Sequence, residues 1–177
     1  MRILVVKIKM ADMVRGLKAG AAAGLVMGII GGVVDILLMF TILNAEYMRM
    51  YEQVMATMPP EAAMSANTLL MISAVTVVIF AVIFGLIFGA IIGVIYAWLY
   101  ESIPGKTSIA KGIVTGAVYF VFSIAFSLVM QAVFSGQSQG MEPGSMITGA
   151  GYVTGFVNAM IFGYLLGLLW DKFKPKD

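Results

Sequence analysis

Apolar and polar stretches alternate along this chain on a scale of tens of residues, with four long hydrophobic runs between shorter polar segments. The first run, 19–43, is apolar apart from Asp35 and Thr41. As a helix it would span about 37 Å, enough to cross a ~30 Å hydrocarbon core with some tilt. It is too long for the apolar region of a signal peptide and no convincing small-x-small cleavage site follows, so a retained first span is predicted. The second run, 68–100, exceeds what a bilayer needs and must tilt or protrude. The third covers 109–134 and the fourth 146–170.

The segments between the runs carry their own signals. Residues 1–18 place Arg2, Lys7, Lys9, Arg15 and Lys18 among apolar residues at near-helical spacing. They read either as a basic amphipathic flank on an anionic membrane surface or as a plain juxtamembrane flank. In 44–67, Met48, Tyr51, Met55 and Met58 recur at three- and four-residue steps before Pro59-Pro60. This predicts a short interfacial helix stopped by the prolines. The turn 101–108 offers Thr107 or Ser108 as the N-cap of the third helix. The stretch 135–145, rich in Ser, Gly and Gln, reads as a flexible loop. Trp98, with Tyr96 and Tyr100, stands where an interfacial aromatic belt is expected.

The expected fold class is therefore an all-α integral membrane protein, a single domain over 1–177 of four transmembrane helices in two tandem hairpins. Composition agrees: 61% of residues are hydrophobic and 11% charged, against roughly 45–50% and 25% in soluble domains. Lipid is the solvent that accommodates such a surface. All of the eleven Lys and Arg residues except Arg49 fall in the N-terminal flank, the 101–111 region or the C-terminal tail. By the positive-inside rule both termini are expected in the cytoplasm, with the protein in the cell membrane. The chain contains no cysteine and no histidine, which excludes disulfides, thiolate nucleophiles, histidine bases and the usual zinc sites.

The hairpins resemble each other. Ile87-Phe88-Gly89, Gly93 and Tyr96 are matched by Ile161-Phe162-Gly163, Gly167 and Trp170, and Lys18-Ala19 with Ala23 by Lys111-Gly112 with Gly116. A parallel internal repeat would produce this, and so would the shared composition of membrane helices.

Small residues recur four apart in three runs. The first has Gly16, Gly20, Gly24, Gly28 and Gly32, and the second Ala81, Gly85, Gly89, Gly93 and Ala97. The fourth has Gly151, Gly155, Ala159, Gly163 and Gly167. The third has only Gly112 and Gly116, then turns polar with Ser123, Ser127 and Gln131. Residues four apart share a helix face, and faces without side chains let backbones approach closely. The stripes predict close packing within the bundle, or free faces for a second copy or a membrane-protein partner.

Asp35 is the ionisable residue well inside a run. It follows Gly28 and Gly32 on the small-residue face, about 13 Å short of Asn44 along a helix. A carboxylate in a span costs at least ~2.5–3.5 kcal/mol unless hydrated, paired or protonated, and is a functional candidate by default. Thr41, Ser123, Ser127, Gln131 and Asn158 are its candidate polar neighbours, and a single structural hydrogen bond is the plainer alternative. Met48, Met50 and Met55 form a weak candidate for soft-metal ligation, although the same spacing suits an ordinary amphipathic helix. Gly105-Lys106-Thr107 is a turn and a cap, because no upstream phosphate-loop glycine precedes it.

These readings imply an oligomeric channel or transporter for a proton or small cation, in which several four-helix units line a path with Asp35, Ser123, Ser127, Gln131 and Asn158. The alternative is a non-catalytic accessory subunit docked through its glycine stripes. No acid–base constellation, cofactor motif or nucleic-acid signal is present, so an enzyme is not expected.

Overall fold

A computed structural model describes residues 2–59, 64–134 and 145–174. Every regular element among them is an α-helix: α1 (Arg2–Phe40), α2 (Asn44–Thr57), α3 (Ala66–Leu99), α4 (Ser108–Phe134) and α5 (Ser145–Lys172). Four stretches, Asp12–Phe40, Ala66–Leu99, Ser108–Val129 and Gly149–Lys172, are long and apolar enough to cross a membrane.

The helix ends follow from local chemistry. The flank 2–18 is not a separate surface helix but the first turns of α1; no proline interrupts it, so helix propagates straight into the apolar run. At the other end α1 stops at Phe40, short of the expected Leu43. There the chain turns, with the Leu43 N–H bonding back to the Leu38 carbonyl at 2.9 Å. The short helix α2 closes as expected: Met58, ahead of Pro59, is extended at φ −84° and ψ 149°, because proline excludes the helical region from the residue before it. Ser65 caps α3 by accepting from the Thr68 N–H at 3.1 Å. Of the two candidate caps of α4, it is Thr107 whose hydroxyl accepts from the Ala110 N–H, at 3.2 Å. The turn before it needs Gly105, whose φ of +140° is hard for any side-chain-bearing residue.

The long helices stand in the order α3, α1, α5, α4, each antiparallel to its neighbour, and α2 lies over α3 and α1. The glycine stripes make the closest contacts. A methyl on Gly20 would lie 2.7 Å from the Gly93 Cα, and one on Gly24 would strike the Gly85 carbonyl. Gly16 meets Gly93, and Gly28 meets Ala81. In the second hairpin Gly112 packs on Gly163 and Gly167, and Gly116 on Ala159 and Gly163. Backbones this close gain dispersion and Cα–H···O contacts, which replace the hydrophobic drive that lipid withholds.

These stripes are therefore occupied within the chain, except at the Gly151 end of α5. The α1–α5 seam uses a different face, where Ala19, Ala23, Tyr96, Phe162, Leu166 and Trp170 form the buried core. Tyr96 thus belongs to the core and not to an aromatic belt, whereas Trp98 is 65% exposed, as a belt residue would be.

Substituting valine at Gly24 or Gly89 should force backbones apart and cost about 1–3 kcal/mol or more by overpacking. Thermal unfolding in detergent would read this as a lowered midpoint. Gly151→Ala meets open space and should leave the midpoint unchanged or raise it slightly.

Candidate functional site

The two ends of the bundle differ. The end carrying α1's basic turns, the α3–α4 turn and the end of α5 is closed by interlocked polar and aromatic side chains. The Arg15 guanidinium sits 4.0 Å over the Trp170 ring. Its Nε donates to the Trp170 carbonyl at 2.6 Å, and Nη2 lies 3.8 Å from Asp171 Oδ1. Ser108 donates to the same carboxylate oxygen at 2.7 Å and shares a 2.6 Å hydrogen bond with the Tyr100 hydroxyl. Tyr96 donates to the Ser108 carbonyl at 2.8 Å, and Lys111 Nζ to the Tyr100 carbonyl at 2.6 Å. Stacking of Tyr100 on Trp170, centroids 4.9 Å apart, completes the seal. Nothing in the spacing of these residues announced the cluster. Its only sequence signal was aromatic and charged residues gathered at run ends that had to coincide.

Toward the α2 end the close contacts fade. Gly32 meets Val78 only at 3.2–3.3 Å, Gly155 touches Phe120 at 3.7 Å, and Gly149 and Gly151 meet nothing. The helices separate here, and two cavities lie between them. One, of about 380 Å³, is lined by Asp35, Tyr47, Thr154 and Asn158 among apolar residues of α1, α3 and α5. The other, of about 180 Å³, is an open groove that again includes Asp35 and Asn158, now with Phe84, Phe88 and Tyr119. Asp35 makes no hydrogen bond or ion pair with any described residue. It stands five residues before the end of α1, about 8 Å along the axis and nearer that end than the longer helix expected from sequence would place it.

Asn158 reaches this point because of Gly31. Its amide nitrogen would be 2.8 Å from a methyl placed there, and Gly31 lies one turn before Asp35 on the same helix face. Tyr47 comes from α2, held on α1 and α3 by the Met39, Leu70 and Ala74 cluster. Burial pushes its phenol above the ordinary value, with the neighbouring Tyr51 and Asp35 adding in the same direction. The hydroxyl is thus a neutral donor at the cavity wall.

Of the polar residues expected around Asp35, the structure brings Asn158 to it and not the serines. Ser123 bonds the Phe120 carbonyl at 2.8 Å, Ser127 is exposed, and neither lines a cavity. They ride on α4, which packs on α5 and is one helix removed from α1. Thr41 bonds the Leu37 carbonyl of its own helix, and the Gln131 side chain lies outside the described residues. Tyr47, Thr154 and Tyr119 are the additions that sequence reading missed, and Thr154, four residues before Asn158, could have been found by helical spacing.

The methionines are placed for packing. Met48 joins the α1–α3 cluster, while the Met55 sulfur accepts from the Met64 N–H at 3.3 Å. Met50, two residues from Met48 on α2, points about 160° away from it, so the pair cannot close on one ion.

Comparison of the chain with family models, with curated proteins and with solved structures yields no match.

Gly31→Ala should displace the Asn158 amide, the free end of a flexible side chain, at little cost in stability. Its coupling to Asn158→Ala in a double-mutant cycle of unfolding in detergent should therefore stay near the lower end of about 0.5–3 kcal/mol.

Proposed function

We propose that the protein is a small transporter or channel of the cell membrane, passing a proton or small cation, with Asp35 as the binding site. The observation that carries this reading is a carboxylate within a span, free of any described cation partner, on the wall of a cavity of about 380 Å³. An unpaired carboxylate at such depth is costly, and binding a proton or cation lowers that cost. Tyr47, Thr154 and Asn158 supply hydroxyl and amide groups that can hydrate or orient the guest. The reading assigns no catalytic step and no cofactor.

The cations favour one orientation. Among the described residues, all Lys and Arg except Arg49 belong to the helix ends and the turn that form the sealed end, so the positive-inside rule puts that end and both termini in the cytoplasm. The Asp35 cavity then faces outward, and the Arg15–Trp170–Asp171 seal is the inner barrier that must part for passage. The pathway runs within one chain, which departs from the assembly of several copies that the glycine stripes first suggested. Docking onto a larger membrane complex keeps only the bare upper part of α5, Gly149 and Gly151, in its support. We also take the hairpins as a parallel repeat: Gly20 and Gly24 correspond by their contacts to Gly112 and Gly116, one residue away from the Lys18–Lys111 register.

The absence of native cysteine makes orientation simple to test. In intact cells a membrane-impermeant maleimide should label a Glu52→Cys variant and spare a Lys174→Cys variant until the cells are opened; the reverse pattern would overturn the orientation. In proteoliposomes the wild type should carry protons or a small cation, and Asp35→Asn at matched incorporation should lower flux by at least about tenfold, the loss of ~1.4 kcal/mol or more of binding or barrier stabilisation. Absence of flux from folded wild type across several cations and a pH gradient would sink the transport reading.

A further inference from the structure

The two cavities share Asp35 and Asn158, and their other walls describe a guest. Asp35 is the charged residue among the lining side chains of both. The smaller cavity adds aromatic faces to its wall: Phe84 and Phe88 from α3 and Tyr119 from α4. Phe84 and Phe88 are 48% and 46% exposed. They continue a ladder of rings along α3, with Phe80 and Phe84 centroids 5.6 Å apart and Phe84 and Phe88 5.9 Å apart. The helices α3 and α4 do not pack along their lengths, so the groove between them opens on the side of the bundle that faces lipid in the transport reading.

A proton requires no volume of this size. A bare inorganic cation requires several oxygens at close range; beyond Asp35 the two cavities add the Asn158 amide and the Tyr47, Thr154 and Tyr119 hydroxyls, spread over walls that are otherwise apolar. The cavity on the Tyr47 side, of about 380 Å³, falls in the range of ~300–1,000 Å³ usual for small-molecule sites, and the aromatic groove, of about 180 Å³, adjoins it at Asp35 and Asn158. Its rings offer flat apolar surface to an aromatic body. We infer that the site takes an organic monocation with an apolar or aromatic body, of the quaternary ammonium or phosphonium class. Its charge lies at Asp35 and its body between Phe84, Phe88 and Tyr119, with entry from the bilayer between α3 and α4. The inference rests on the reading of Asp35 as a transport site and specifies its substrate.

Equilibrium dialysis of the purified full chain in detergent, with radiolabelled tetraphenylphosphonium as probe, tests it. Saturable binding is expected, resisted by excess unlabelled probe but not by the neutral analogue triphenylphosphine oxide. Asp35→Asn should weaken it by at least about tenfold, as for loss of a desolvated charge pair. Asp35→Glu should retain it, and Phe84→Ala, which spares the carboxylate and the packing stripes, should weaken it by about three- to tenfold through lost ring contact with the body of the guest. Binding that is unsaturable, or unchanged in both Asp35→Asn and Phe84→Ala, would be micelle partition and would overturn the inference. Asp35-dependent flux of protons or sodium, with tetraphenylphosphonium neither bound nor inhibitory, would overturn the inference and leave the transport reading standing. Saturable Asp35-dependent binding without any flux would support the site and remove the transport reading.

Discussion

Lipid gives two helices no hydrophobic reason to meet, so this bundle depends on how closely bare backbones can approach. In the first hairpin Gly16, Gly20 and Gly24 lie against Gly93, Gly89 and Gly85 with no room for a single methyl on either side. In the second, Gly112 and Gly116 do the same against Ala159, Gly163 and Gly167. Each such glycine sacrifices helix propensity, about 1 kcal/mol in a soluble helix, and returns it as dispersion and weak Cα–H···O contact over a long seam. The third seam, between α1 and α5, is made differently, by Ala19 and Ala23 receiving Phe162, Leu166 and Trp170.

The site is a consequence of where that packing runs out. The stripes end in Val78 opposite Gly32 and in Phe120 opposite Gly155, side chains that hold the helices apart. Below that level the helices are clamped, and the aromatic and charged cluster around Arg15, Trp170 and Asp171 closes the end. Above it they diverge and leave space, and Asp35 stands at the point of divergence. Gly31 extends the same logic sideways by admitting the Asn158 amide, which a methyl there would displace. A polar pair is thereby gathered by the glycines around it, with no dedicated polar scaffold.

Much of this was legible in the sequence. The four spans, the short helix stopped at Pro59, the cap before α4 and the identity of Asp35 as the unusual residue follow from periodicity, length and the cost of a charge in lipid. The neighbours of Asp35 were only partly legible. Asn158 was a candidate and is placed at the cavity; Ser123 and Ser127 were equally plausible and sit on the helix farthest from α1 in the row. Helical spacing states which residues share a face but not which helix that face meets. The continuation of α1 through residues 2–18 was missed for a related reason: amphipathic pattern alone does not distinguish a helix lying on a surface from one that simply continues.

The sequence by itself determined the solvent, the number and length of the spans and the small-residue faces, because each is set by local composition and by the 3.6-residue period. Only the tertiary structure decided the order α3, α1, α5, α4. With that order it decided that the stripes are consumed within the chain except at the Gly151 end of α5, that one end is sealed, and that Asp35 opens on a cavity with Asn158, Tyr47 and Thr154. Those outcomes depend on contacts between residues tens to more than a hundred positions apart, such as Gly112 with Gly163 and Arg15 with Trp170. Their energies come from complementary shape at the seam and leave no periodic trace along the chain.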